Sequence, residues 1–364
     1  MSLAQQTNRA QELSTLLPEA EVDVLLVTDL VNVRYLTGYT GSNGLALVGD
    51  ETRAFVTDFR YVQQAAEQVD PTFERRKAEH ELTDLIEALL PDGRLRLGFE
   101  EEHLTVRDHA RIRSQLPERV ELVAVEGLVE RLRAVKDADE VARIQEAAKL
   151  ADAAFEDLLR DGLAGRTERE LAFNLSVAMH RQGAEGPSFE VIVAAGPHGA
   201  LPHATPRDVE VRAGQLVVID WGAVFGGYCS DCTRTVYVGG GEPSAHEREV
   251  YELVLLAQLA GLEAMVPGAS TREADASARA VIDAADYGEH FGHGLGHGVG
   301  LDIHEAPRVS PRSDSTLAPG NVVTVEPGVY LPGEFGVRIE DLVVVTDGAP
   351  AVLTAVSKEL MVVD

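Results

Sequence analysis

Cysteine is almost absent from this chain: Cys229 and Cys232 are the two among 364 residues. Two cannot complete a four-cysteine zinc site, and a chain of this length buries enough surface to fold without disulfides. They form a C-x-x-C, but residues 228–238 read as one strand. Offsets of three on a strand point to opposite faces, so the thiols diverge. We read both as packing residues in a reducing, cytoplasmic compartment. Basic charge is also short, with 32 Lys and Arg against 60 Asp and Glu and a formal net charge of −28. Lysine is scarcest, at Lys77, Lys136, Lys149 and Lys358 alone. Such a field repels phosphate backbones and anionic lipid, which excludes nucleic acid and membrane surfaces as partners. Long apolar runs are missing too. No basic segment followed by an apolar core suggests a signal peptide, and the best apolar helix candidate, 253–266, contains Gln258 and Glu263 and is too short to span a bilayer.

What is present is an alternation of elements and then a repeat. Residues 21–62 alternate strand-like runs (22–27 and 45–48) with glycine turns. Helices near 61–68 and 80–90 and a strand at 94–99 extend this to an α/β pattern. A long polar helix is expected from Asp137 to about Leu159, with Val141, Ile144, Ala148 and Leu150 near helical period. These signals divide the chain into a domain at 1–125, a linker at 126–135 and a second domain at 136–364.

The second domain repeats itself. Gly214 to Asp220 resembles Gly320 to Glu326: a glycine, an apolar strand, and a carboxylate six residues on. A glycine-rich turn and a second strand with another acid follow each, Asp231 in one copy and Glu340 in the other. Upstream, Thr167 with Glu170 and Ser270 with Glu273 fit capping boxes. Two copies of a helix pair plus hairpin predict a pseudo-twofold α+β domain in which four carboxylates converge. Asp220 and Glu326 end almost wholly apolar runs, where an ionised carboxylate is costly unless paired or bound to metal. Arg234 and Arg338 offset two charges; two divalent cations would offset all four.

A histidine-rich run, His293-Gly-Leu-Gly-His297 continuing to His304, lies between the acid pairs and offers nitrogen ligands. Four carboxylates and an imidazole form a hard, oxygen-rich set that suits Mn²⁺ or Co²⁺, and also Zn²⁺. The reaction class this implies is metal-assisted hydrolysis of an amide or related bond, with two metals roughly 3.5–4 Å apart.

At these residues the chain resembles the pita-bread metallopeptidases: aminopeptidase P, prolidase and methionine aminopeptidase, with metal-free creatinase as a relative. The resemblance implies Asp220, Asp231, His297, Glu326 and Glu340 as metal ligands for two divalent ions. Asn32 to Gly38 resembles the creatinase/prolidase type of N-terminal domain, and Leu132 to Asp137 is similar to the same branch. That points away from simple methionine aminopeptidases and towards Xaa-Pro peptidases. A creatinase-like hydrolase without metal, or a non-enzymatic binding module, fits poorly with a full ligand set. The resemblance further implies that His203 and His304 act on substrate, that His293 lines the pocket near proline, and that Glu326 doubles as proton shuttle. Tyr330 and Arg338 would hold the ligand shell and polarise the intermediate. A peptide with proline in second position is the implied substrate, and a homodimer the implied assembly. His198 carries no motif and is read as loop.

Overall fold

The computed structural model describes the backbone from residue 3 and side chains from residue 9, through to residue 364. The chain divides into two compact units, residues 1–133 and 134–364. No helix among the described residues is long and apolar enough to cross a membrane.

The first unit is built on a six-stranded mixed sheet. Its order is Glu74–Ala78, Arg53–Asp58, Leu45–Gly49, Val24–Val27, Leu95–Glu100, Val120–Val125. Val24–Val27 runs antiparallel to Leu45–Gly49 and parallel to Leu95–Glu100. Val24, Leu26, Leu47, Val56 and Leu97 bury together in its core. The strand runs expected at 22–27 and 45–48 form as Val24–Val27 and Leu45–Gly49, and between them lies a helix the pattern did not show, Leu30–Thr37. Asp29 caps it, accepting from Val31 N at 3.0 Å, and Gly38 ends it at φ 81°, in the left-handed region open to glycine. Asn32 is fully buried; it donates to Glu100 Oε1 at 2.7 Å and accepts from Arg133 at 2.8 Å. The Asn32 motif is therefore a buried polar tie within this unit. The stretch expected as a linker contains a helix, Leu128–Ala134, with Leu128 and Val129 buried.

The second unit opens with the helix Ala138–Arg160, capped by a box between Asp137 and Glu140. The expected box also forms at Thr167, where Glu170 N donates to Thr167 Oγ1 at 3.1 Å and Thr167 N donates to Glu170 Oε2 at 2.8 Å. The counterpart at Ser270 does not form. Ser270 makes no side-chain cap bond. Buried Thr271 holds that helix start instead, its N–H donating to Ser315 O at 3.0 Å. The apolar helix expected at 253–266 is the later part of Ala245–Glu263.

The repeat shows in the strand pairing. Leu216–Trp221 pairs antiparallel with Cys232–Val238, and Val322–Val325 with Asp341–Val344. The connection in each copy, expected to be a turn, is a small hairpin: Ala223–Phe225 with Tyr228–Cys229, and Gly328–Leu331 with Phe335–Arg338. A further strand lies beside each first strand, Ile192–Ala195 at the sheet edge in one copy and Gly296–Gly298 in the other, where Glu305–Val309 pairs on its far side. The strand expected over 228–238 breaks at Ser230 and Asp231. Both cysteines are buried, on either side of that break, and no disulfide joins them.

Period-two alternation then sets the faces. Val217, Ile219 and Trp221 pack on the helical layer with Phe155, Leu171 and Leu175. Trp221 stacks on Phe155 at a centroid distance of 4.1 Å and donates from Nε1 to Ala151 O at 2.9 Å. Asp220 falls on the opposite face. In the second copy Val323 and Val325 face Val254, Ala257 and Ala278, so Thr324 and Glu326 turn inward.

Candidate metal centre and active site

The inward faces of the two copies meet over a cavity of about 700 Å³. Asp220, Asp231, His297, Glu326 and Glu340 all line it, together with His203, His293, His304 and Arg338. Tyr330 is buried beside them and bonded to Arg338. The structure thus brings every candidate site residue into one region of the second unit.

Oxygen atoms of Asp220, Asp231 and Glu340 lie within 4.8 Å of one another. His297 Nε2 lies 3.3 Å from Glu326 Oε1 and 3.6 Å from Asp231 Oδ2. His297 Nδ1 is 3.1 Å from Gly298 O. A carbonyl only accepts, so Nδ1 carries the proton and Nε2 turns a lone pair towards the carboxylates. Burial also pushes the imidazole down to about 3, which keeps it neutral. Lone pair thus faces carboxylate, an arrangement that calls for a cation between them.

The carboxylates make the same demand. Asp220 Oδ1 and Glu340 Oε1 are buried without a hydrogen-bond partner. Burial drives Asp231 and Glu340 well above the ordinary carboxylate range, and neighbouring carboxylates add to the shift. Burial likewise raises Glu326 to about 7, against the opposing pull of Arg338. The orphaned oxygens and the mixed oxygen and imidazole donor set fit divalent metal.

The supporting contacts are specific. Arg338 Nη2 donates to Asp220 Oδ2 at 2.7 Å, Nε to Thr233 Oγ1 at 3.0 Å, and Nη1 to Tyr330 at 2.9 Å and Pro202 O at 3.1 Å. Thr233 in turn donates to Glu340 Oε2 at 2.7 Å. Thr324 donates to Glu326 Oε1 at 3.1 Å and accepts from His297 N at 3.1 Å. Neither threonine was singled out from sequence. Their signal was available, because each shares a strand face with a ligand or lies opposite one: Thr233 pairs with Asp220 in register. His293 Nδ1 donates to Gly294 O at 2.8 Å, leaving Nε2 to accept from Tyr330 at 2.9 Å. A chain of donors therefore runs from Arg338 through Tyr330 to His293. The His297 and His304 rings meet edge-on at 4.3 Å.

Glycines flanking His297 follow from close backbone approach. A Cβ on Gly296 would lie 2.0 Å from Thr324 O, and one on Gly298 2.2 Å from Ala306 O. Arg234, considered above as a charge partner for the cluster, pairs instead with Asp341 at 2.8 Å; both side chains are fully buried. His198, read as loop, is buried and bonded through Nδ1 to Glu168 at 2.9 Å. It is held because Glu168, at the start of the helix Glu168–Gln182, offers it a buried carboxylate.

Residues 142–347 match the metallopeptidase family M24, and residues 9–135 match the creatinase/prolidase N-terminal domain. An Xaa-Pro dipeptidase of Pyrococcus furiosus is 35% identical over 357 residues, 97% of this chain and 99% of that one. The solved structure of an Xaa-Pro dipeptidase from Bacillus anthracis superposes with a TM-score of 0.94 at 40% identity, covering 98% of this chain and all of that one. That of an X-Pro aminopeptidase from Thermotoga maritima gives 0.88 at 36% identity, with the same coverage. Together with the ligand cluster, these matches make the chain a member of metallopeptidase family M24, carrying a creatinase/prolidase N-terminal domain ahead of its divalent-metal catalytic domain.

Proposed function

We propose that this enzyme is an exopeptidase that hydrolyses the bond between an N-terminal residue and proline. The observation that carries the reading is the convergence of Asp220, Asp231, His297, Glu326 and Glu340 in one cavity. In this reading the five groups hold two divalent ions, Mn²⁺ or Co²⁺ in preference to Zn²⁺ because four of the five donors are carboxylates. The ions supply, when bound, acidified water and positive charge for the developing oxyanion.

The chain's own groups do the rest. Glu326 takes up the proton and delivers it to the leaving proline nitrogen. His304, held neutral by burial and Arg308, donates to the carbonyl oxygen. His203 and His293 line the substrate side, and Arg338 with Tyr330 fixes the ligand shell. The free amine of the substrate pairs with the acidic cluster, which restricts cleavage to the chain end. A bond to proline lacks the N–H that ordinary peptidases grip, so this site recognises the ring instead. A homodimer and a cytoplasmic setting belong to the same reading; two buried cysteines not joined by a disulfide support a reducing compartment.

The test is a side-by-side assay of an Xaa-Pro dipeptide, an Xaa-Pro-Xaa peptide and their Xaa-Ala counterparts with Mn²⁺ added. Release of the first residue from one or both proline substrates, and not from the alanine ones, is expected. Equal cleavage of the alanine peptides, or none of any, overturns the proposal. The ratio of the two proline substrates separates dipeptidase from aminopeptidase action.

A further inference from the structure

One carboxylate outside the metal cluster grips both ends of a cavity-lining loop. Glu168 is fully buried at the first position of its helix. It accepts from Ala195 N at 3.0 Å and from His198 Nδ1 at 2.9 Å on the near side. On the far side it accepts from Arg207 N at 3.0 Å and Arg207 Nε at 3.2 Å. Burial works to raise its pKa, but these donors outweigh burial and hold it below the ordinary glutamate value. The clamped span passes through Pro202, whose carbonyl accepts from Arg338 at 3.1 Å. It then presents His203, Ala204, Thr205 and Pro206 to the cavity wall.

We infer that Glu168 is a positioning residue: it sets the loop 196–207, and through it the place of His203 beside the substrate. These four donors, with Arg207 Nη2 at 3.4 Å as a fifth, fix where the loop leaves and rejoins the scaffold. The Arg338–Pro202 bond fixes its middle. His203 therefore has its backbone placed from both directions, while its side chain stays open to the cavity. Glutamine at 168 would keep an acceptor but could not pair with both His198 and Arg207 as a charge. The inference rests on the Xaa-Pro reading for its catalytic half only; the loop clamp itself is independent of substrate.

The test combines a double-mutant cycle with hydrogen exchange. Glu168→Gln is expected to lower kcat/KM on the Xaa-Pro substrate by roughly 10- to 100-fold. In a His203→Ala background it should cost almost nothing more, since its effect passes through that histidine. Should Glu168→Gln fold poorly, Arg207→Gln replaces it: that side chain is half exposed, and its smaller loss should vanish in the same background. Losses that simply add, or a wild-type kcat/KM in the 168 variant, overturn the inference. Amide exchange of peptides spanning 196–207 should quicken selectively in the variant, with the rest of the unit unchanged. Unchanged exchange there overturns the clamp whatever the substrate proves to be. Quickened exchange with no Xaa-Pro activity in the wild type upholds the clamp and defeats the reading of function instead.

Discussion

Arg338 Nη2 lies 2.7 Å from Asp220 Oδ2, a bond that joins the two halves of the repeat across the carboxylate cluster. Asp220 is the penultimate residue of the first strand of one copy, and Arg338 ends the inserted hairpin of the other. The same guanidinium spends its remaining donors on Thr233, Tyr330 and Pro202. A flat fork with fixed directions can serve four acceptors at once, and a lysine cannot.

Arg338→Lys should therefore retain charge and still fail. We expect kcat/KM to fall roughly 10- to 100-fold, with weaker divalent-metal affinity, because Asp220 and the Tyr330–His293 chain lose their common anchor. Calorimetric metal titration of the variant beside steady-state kinetics checks both effects. Metal affinity and turnover equal to wild type would show that the fork is dispensable.

On the proposed reading Asp231→Asn and His297→Ala each remove a metal ligand, and each should abolish activity. Purified wild-type protein incubated with Mn²⁺ or Co²⁺ should carry about two ions per chain by elemental analysis. Because burial and crowding raise the cluster's carboxylates, metal must displace protons, so affinity should rise with pH across the neutral range. Elemental analysis finding no metal after incubation would sink the metallopeptidase chemistry.

Much of this site was legible because its physics is local and duplicated. An acid at the end of an apolar strand is costly, and finding the cost twice at the same offset pointed to Asp220 and Glu326 before any coordinates. The Thr167 box and the helix from Asp137 are likewise set by neighbours three residues apart. What escaped depends on distant partners. The helix Leu30–Thr37 went unassigned because its helical character rests on the Asp29 cap and on Asn32 reaching Glu100 and Arg133. The inserted hairpins looked like turns because their pairing is only two to four residues long. The Ser270 box does not form, although the backbone pairing beside it, Thr271 N to Ser315 O, has a counterpart at the Thr167 box, where Glu168 N donates to Val209 O. His198 looked idle because its partner, Glu168, lies thirty residues upstream.

Trp221 is the chain's sole tryptophan, fully buried and stacked on Phe155 at 8° between planes. It sits beside Asp220, so its packing anchors the strand that carries this proposed ligand. Phe155→Ala should cost about 3–5 kcal/mol of stability and redden the tryptophan emission. Denaturant unfolding followed by that emission checks both. A loss under about 1 kcal/mol would mean the stack contributes little to the second unit.

Asp152 offers a pH-dependent test away from the metal site. It is buried on the helix Ala138–Arg160, where Oδ2 accepts from Ala355 N at 2.7 Å and Oδ1 has no partner. Burial pushes its carboxyl up to about 6; Ala355 N and Arg234 pull the other way without prevailing. The folded value thus lies above the unfolded one, and the folded state holds the proton more tightly. Stability from this group is whole below about pH 4 and is lost as pH rises through about 6. Asp152→Asn keeps an acceptor for Ala355 and removes the charge. It should leave stability near pH 4 little changed and add about 3 kcal/mol at pH 7, from the upward shift of roughly two units. Thermal midpoints of both proteins measured from pH 4 to pH 7 check this. A gap that stays constant across that range, or narrows as pH rises, would show that Asp152 is not the group whose ionisation weakens the fold.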